Sequence, residues 1–400
     1  MHKVRLGDIA KITNGKSDVK DALLTGDYAF FDRSVDIKRS NKYLFDAEAI
    51  IIAGEDSRQI FEPRYFKGKF DLHQRCYVIY DVDKNYDSKY LFYRLKTLTK
   101  HFANVSVGST VPSLRLDNFT DLRFDVPDLD DQKIVARMLA ALDAKIKLNK
   151  KVNSELEVLV RELFNYWFVQ FEFPDENGRP YKTAGGAMEY NEKLNREIPA
   201  DWTASALDDF ISLERGISYT SKSISTGDGM PMINLASIDI SRNYRVGTLK
   251  YFAGKYKSDK IVTAGDMLIA CTDLTRNADI IGSPILVPRE HKEYLYSMDL
   301  SRVVSKGLTD VYLYESLRTE SYHNYIKHFA SGTNVLHLDL NGLRWYKLPV
   351  PPSPLQESFA NIVKPLRDKQ AEIINENQKL IEQRDFLLPM LMNRQIGIAG

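Results

Sequence analysis

Residues 108–132 read GSTVPSLRLDNFTDLRFDVPDLDDQ, and residues 332–356 read GTNVLHLDLNGLRWYKLPVPPSPLQ. Set 224 positions apart (332 less 108), Gly108 falls on Gly332, Val111 on Val335, Leu114 on Leu338 and Leu116 on Leu340. The match continues ungapped through Val126-Pro127 on Val350-Pro351, Gln132 on Gln356 and Leu163 on Leu387. Such a run is the mark of an internal repeat, and a repeat governs the reading of the whole fold. Upstream, AEAIIIAGED (47–56) answers AGDMLIACTD (264–273) at a separation of 217, and LGDIAKITNGKS (6–17) answers LDDFISLERGIS (207–218) at 201. The second copy therefore carries insertions of about sixteen (217 less 201) and seven (224 less 217) residues. The chain is an approximate tandem duplication.

Each copy is a globular part followed by a helix. Short runs such as AIIIA, CYVIY, DMLIA and SPILV are β-branched or aromatic and bounded by Gly, Asp or Ser, which predicts strands. Helical stretches sit among them near 89–102 and 310–329. From 131 to 168 no Gly or Pro occurs, and apolar residues recur at Val135, Leu139, Leu142, Ile146, Val152, Leu156, Leu159 and Leu163. That spacing is coiled-coil-like, with polar gaps at Asn149 and Asn153. Phe359, Val363, Leu366, Ile373, Leu380 and Leu387 repeat it, with Pro365 expected to start or kink the second helix. Each stripe needs a partner, and the simplest is the other helix in antiparallel register. The expectation is an α+β chain of two pseudo-symmetric mixed α/β domains joined by two long helices forming an antiparallel coiled coil. Its parts are domain one (1–127), helix one (128–170), a Gly-, Asn- and Pro-rich connector (171–200), domain two (201–350) and helix two (351–396).

Composition sets the class. Of 400 residues, 44% are apolar and 27% charged, the balance of a globular protein. No run approaches ~18 uncharged apolar residues, so no membrane span is expected. The front, MHKVRLGDIAKI, has no apolar signal core, and the two cysteines, Cys76 and Cys271, make no disulfide scaffold. A cytoplasmic protein is expected. The net charge of +1 excludes a globally basic coat but leaves room for a locally basic face.

No catalytic apparatus is legible. Gly15-Lys16-Ser17 ends like a phosphate loop, but Ala10 stands where the first Gly belongs. Asp130 and Asp131 suit a helix N-terminus better than a nuclease metal site. Pro351-Pro352 lacks the preceding Asn or Asp of an adenine methyltransferase loop, and no Gly-rich cofactor loop follows a first strand. His323 and His328 have no third ligand, and Gly108-Ser109-Thr110 has no His and acid partners. Neither a metal nor a cofactor is expected in this chain, and no enzyme is read here.

Polar loops recur at matched places instead. Ser106, Ser109, Thr110, Ser113 and Arg115 line the first GST segment; Ser331, Thr333, Asn334 and His337 line the second. After the strands come Glu55, Asp56, Ser57, Arg58 and Gln59 in one copy, and Thr272, Asp273, Leu274, Thr275, Arg276 and Asn277 in the other. Such side chains read base edges, Arg on guanine and Asn or Gln on adenine, and Asn234 is added to them. Basic residues that can hold phosphates lie nearby: Arg33, Lys38, Arg39, Arg64, Lys67 and Lys69 in the first domain. In the second, Arg242, Arg245, Lys250, Lys255, Lys257 and Lys260 are interleaved with Tyr244, Tyr251 and Tyr256. Composition alone leaves solvated loops as the other reading.

The two-copy layout, LGDIAKITNGKS, the central LFNYWFVQFEFPDENGRPYKTAGGAMEYNEKLNREIPADW and the paired GST and GTN segments together resemble the specificity subunit of type I restriction–modification systems. The resemblance runs along nearly the whole chain. It implies a non-catalytic subunit with two target-recognition domains, each reading one half of a split double-stranded DNA sequence, and a coiled coil fixing the gap; the loop residues that differ between the copies, Arg58 and Gln59 against Thr275 and Arg276, and Ser113 against His337, make an asymmetric target the expectation. It implies two modification subunits carrying the S-adenosylmethionine chemistry, and restriction subunits driven by ATP with Mg2+. Leu163, Phe164, Tyr166, Trp167 and Phe168 crowd one helix end, and Leu387, Leu388, Met390, Leu391 and Met392 the matched one. These faces are expected to hold the modification subunits, the alternative being burial within the chain itself. The rival for the whole chain is a coiled-coil protein-interaction scaffold; an orphan methyltransferase ranks below it for want of a cofactor motif.

Overall fold

The computed structural model describes residues 1–396. The chain divides into two compact units, one formed by Met1–Lys147 with the chain from Lys379 onward, the other by Leu148–Gln378. Each unit is mixed α/β. Among the described residues no helix is long and apolar enough to cross a membrane.

The first unit carries a six-stranded sheet ordered Lys11–Asn14, Cys76–Tyr80, Phe45–Ala53, Arg64–Leu72, Tyr28–Phe31, Lys38–Ser40. Only Tyr28–Phe31 beside Arg64–Leu72 is a parallel pair. The central strand is apolar on both faces because both are covered. Ile50 and Ile52 join Tyr90, Leu91, Phe102, Phe119, Val135 and Leu139 in one core. Ala49, Ile51 and Ala53 face Phe31, Phe70 and Leu72 on the other side, as the two-residue alternation of a strand requires. Ile50, Ile51 and Ile52 have no exposed surface, and each contributes roughly 2 kcal/mol by leaving water.

The second unit repeats this order in two sheets. One runs Ile211–Arg215, Leu300–Ser305, Met267–Ala270, Pro284–Leu286; the other Ile224–Ser225, Lys250–Phe252, Met230–Ile233, Leu295–Tyr296. The single strand Arg64–Leu72 is thus answered by two short pieces, Pro284–Leu286 and Leu295–Tyr296. The break falls where the repeat separation steps from 217 (Asp56 to Asp273) to 224 (Leu72 to Tyr296). The seven-residue insertion splits a strand, and with it the sheet.

Glutamines at the heads of the long helices close both copies alike. Gln132 Nε2 donates to the Pro127 carbonyl at 2.8 Å, and its Oε1 accepts from the Asp87 amide at 3.0 Å. Gln356 does the same with the Pro351 carbonyl (2.8 Å) and the Thr309 amide (2.9 Å). Asp87 and Thr309 are the N-caps of Ser88–Lys96 and Asp310–Ser316, so each buried amide locks a long helix to a short one.

The first long helix spans Leu129–Phe164 and ends in a wider turn over Asn165–Val169; the second spans Ser353–Met392. Of the two expectations for Pro365, that it starts the second helix does not hold, since the helix already runs from Ser353. Phe359, Val363 and Ile373 on either side of it are buried, and that packing carries the helix through the missing N–H. Within the second unit the paired stretches run antiparallel: Asn149 Nδ2 donates to Glu376 at 2.7 Å, Gln370 to the Asn153 carbonyl at 3.1 Å, and Phe164 meets Phe359. Within the first, Asp143 pairs with Arg384 at 2.9 Å and Asp131 with Arg394. The connector is ordered. Phe171 and Phe173 are buried in the second unit's core, with Phe173 stacked on Trp202, and Met188–Asn191 forms a hairpin with Arg196–Pro199.

Candidate nucleic-acid interface

In both units the loop after the central strand is stitched to the GST or GTN segment. In the first, the Leu114 amide donates to the Gly54 carbonyl (2.8 Å), the Asp56 amide to the Pro112 carbonyl (3.2 Å), and Ser113 bridges both Glu55 and Val107. In the second, Thr272–Asp273 pairs with Leu336–Leu338, which pairs with Ala330–Ser331. Gly108 and Gly332 turn these segments at φ 113° and 135°, a region closed to side chains.

One aspartate shapes each loop. Asp56 accepts from the Arg58 amide at 2.8 Å and the Phe61 amide at 3.4 Å. Asp273 accepts from the Thr275 amide at 2.7 Å and from the amides of Ile280 (2.7 Å) and Ile281 (3.0 Å). Burial would raise the Asp56 carboxyl, but the amide and guanidinium of Arg58 outweigh it and hold it below the usual carboxylate range. Gln59 (φ 57°) and Ala278 (φ 54°) sit in the left-handed region within these loops, strain that the aspartates hold in place. The loops are therefore fixed platforms for side chains.

The cluster gathers many of the expected residues. Arg58, Gln59, Ser109, Thr110 and Arg115 are exposed in the first unit, with Ser113 half-buried beneath them. Arg276, Asn277, Thr333, Asn334 and His337 are exposed in the second, with Thr275 half-buried and accepting from the Asp279 amide. Lys255 is exposed, and Lys67 reaches Glu48 at 3.4 Å.

Other expected contacts make bonds within their own unit. Arg64 lies over the Phe31 ring and donates to the carbonyls of Ser34 (2.9 Å) and Asp32 (2.6 Å). Arg39 donates to the carbonyls of Gly26 and Asp27, and Lys38 pairs with Asp32 at 2.6 Å. Asn234 is buried, capping the short turn Leu235–Ser237 and donating to the Thr248 carbonyl at 2.8 Å. Thr272 is buried and donates to Asp299 at 3.2 Å. Arg242 pairs with Glu320. Buried side chains such as Asn234 and Thr272, with their donors committed inside the unit, are poor readers of an outside ligand. His323 is buried too, and no group of three or more metal-ligating side chains stands together among the described residues.

The helix-end faces need the same correction. Phe164, Trp167 and Phe168 are buried in the second unit's own core against Phe359 and Tyr312. Leu391 and Met392 are buried in the first unit's core, with Leu387 and Leu388 packed against it. The chain covers most of that surface itself. Leu159, Leu163 and Tyr166 line a shallow apolar groove of about 420 Å³ in the second unit.

Sequence reasoning missed Arg75 and the pairing it enters. Glu55 accepts from Arg33 at 2.7 Å and also from Arg75, a residue outside the basic runs. No local pattern signals this, because the three lie on different strands and turns.

Residues 1–158 and 199–383 match the family described as type I restriction modification DNA specificity domain. The chain belongs to that family. It is 26% identical over 326 residues to the type I restriction enzyme MjaIX specificity subunit of Methanocaldococcus jannaschii, covering 78% of this chain and 69% of that one. It is 24% identical over 352 residues to the HindI specificity subunit of Haemophilus influenzae, covering 74% of each. The fold is similar to that of the type I restriction-modification system S subunit from M. genitalium, with a TM-score of 0.63 at 17% identity over 98% of this chain and 95% of that one.

Proposed function

We propose that this specificity subunit is the non-catalytic DNA reader of a type I restriction–modification complex, each globular part taking one half of a split, asymmetric target. The observation that supports this most is the duplicated platform: an Asp56- or Asp273-pinned loop stitched to a glycine-turned segment, carrying different side chains in each copy. Arg58 and Gln59 stand where the second copy has Thr275 and Arg276, so the two halves select different bases. Restriction subunits, ATP, Mg2+ and S-adenosylmethionine belong to partners in this reading. Two modification subunits dock on the chain, one of them at the Leu159, Leu163 and Tyr166 groove. The long helices set the number of unread base pairs.

Binding of random DNA by the chain with its modification subunits, at two salt concentrations, tests the reading. Strong sequence selection with a steep salt slope is the expected result. Absence of both would favour the protein-interaction scaffold. The spacing is tested by inserting seven residues after Lys150 and seven after Ile374, matched positions of the repeat. The helices then lengthen by ~10 Å, and methylated sites should keep both half-sites with about three more base pairs between them. An unchanged gap would show that the helices do not set it.

A further inference from the structure

We propose that Arg33 and Arg75, held as a pair by Glu55, are the guanine-reading element of the first unit, offering a fixed guanidinium fork to the O6 and N7 acceptors of one base. The inference rests on the DNA-reading role above and assigns a specificity to one of its two platforms.

The three side chains form an anchored pair. Arg33 donates to Glu55 Oε2 at 2.7 Å, and Arg75 donates to Oε1. The carboxylate is 14% exposed, while Arg33 and Arg75 are 44% and 56% exposed. The anchor lies inside and the cations face out. Every member is planted in rigid backbone. Arg33 follows the strand Tyr28–Phe31 and Asp32, whose carboxylate accepts from the Ser34 amide and from Lys38. Arg75 sits in a tight turn where its amide donates to His73 Nδ1 at 3.1 Å and the Cys76 amide to the His73 carbonyl at 2.9 Å. Glu55 is bridged to Ser113 of the GST segment.

The geometry favours a base edge over a phosphate. Phosphate attraction scales with uncompensated charge, and Glu55 cancels one of the two positive charges here. Base reading depends on the plane and aim of the guanidinium, which a bonded carboxylate fixes beforehand. Arginine's parallel donors match guanine's two acceptors and no other base offers that pair in the major groove. The second unit has no such element. Thr272 and Asp299 occupy the places matched to Glu55 and Arg75, joined by a hydroxyl–carboxylate bond of 3.2 Å, and Leu235 follows Asn234 where Arg33 follows Asp32. This paired-arginine element is therefore confined to the first unit's half-site.

The test uses the full chain with its modification subunits on a randomised DNA library, read by sequencing methylated sites at two salt concentrations. The unaltered complex should require a G·C pair in one half-site. Arg75→Ala should weaken that preference about 10- to 100-fold, with other positions and the salt slope retained. Arg75→Lys should relax it too, because an ammonium cannot make two parallel bonds. Equal loss on all sequences with a shallower salt slope would make the pair a phosphate clamp and overturn the proposal, as would an unchanged motif. If Arg75→Ala lost its circular dichroism spectrum or its modification subunits, Glu55→Gln decides: it keeps both arginines but frees them, and an unrelaxed position there overturns the proposal. A wild-type complex that selects no sequence would instead remove the DNA-reading role itself, and this assignment with it.

Discussion

The two units hold opposite charges at the same seat of the duplicated frame. In the first, Asp143 of the long helix accepts from the Tyr93 hydroxyl at 2.7 Å and from Arg384 at 2.9 Å. In the second, Arg367 stands 224 positions after Asp143 (367 less 143) and donates to Glu315 at 2.6 Å and to Glu157. Glu315 itself stands 222 positions after Tyr93 (315 less 93). Both copies thus join the two long helices to the same short helix through this seat, with the signs exchanged. The junction persists while its chemistry is free to invert, provided that charges stay paired. The surroundings differ as well. Arg318 and Arg367 both lie over the Tyr314 ring at 5.3 Å, and Arg318 also donates to Asn243 and the Arg242 carbonyl. This second network is buried, whereas the first is half-open to solvent.

Burial decides what each network is worth, and that difference can be broken. Glu157→Ala removes the carboxylate that Arg318 and Arg367 share, leaves Glu315 to Arg367, and should destabilise the second unit by about 3–5 kcal/mol. Asp143→Ala, in the wetter copy, should cost the first unit only about 1–2 kcal/mol. Trp167, Trp202 and Trp345 are the chain's three tryptophans and all lie in the second unit, so tryptophan fluorescence in a urea titration follows that unit. Amide exchange follows the first. Equal losses in the two variants would mean that burial is not the distinction.

Acid should sharpen the same contrast. Burial would raise the Glu157 carboxyl, but Arg318 and Arg367 outweigh it and hold it at about 2 against an ordinary 4.5. Its stabilising share is present above pH ~4.5 and lost as pH falls toward 2. His323 adds a higher window: burial first, then Arg242 and Lys327 against Glu320 and Asp279, lowers it to about 4 from 6.5. The folded unit keeps this imidazole neutral, so stability drains as pH falls from 6.5 toward 4. Replacing it by His323→Phe should flatten the tryptophan-detected midpoint across that window. A slope that survived the substitution would assign it to other groups.

The smallest effect should be the most symmetric. Gln132→Ala and Gln356→Ala each remove one clamp of identical geometry, and each should cost its own unit about 1–2 kcal/mol. Unequal costs would show that the clamps differ in ways their hydrogen bonds do not record.

The duplication, the strands and both long helices were readable because repetition and periodicity are local signals. Partnership was not. Phe164, Trp167 and Phe168 looked like spare apolar surface until Tyr312 and Phe359, far along the chain, closed over them. Arg64, Asn234 and Thr272 carried the right chemistry for DNA but spend it on internal acceptors that no spacing reveals. The joining of Arg33 and Arg75 through Glu55 was hidden for the same reason, since the three stand far apart in the chain. Even the split strand of the second unit was present in the sequence only as a step from 217 to 224.

Independence of the two reading platforms is tested most directly by exchange. Residues 201–350, which lie wholly inside the second unit, are replaced by the same region of another family member, and the methylated sites are sequenced. One half of the target should change while the other half, with its guanine, stays as it was. A change in both halves would contradict independent platforms and with them the reading of this chain as two readers on one frame.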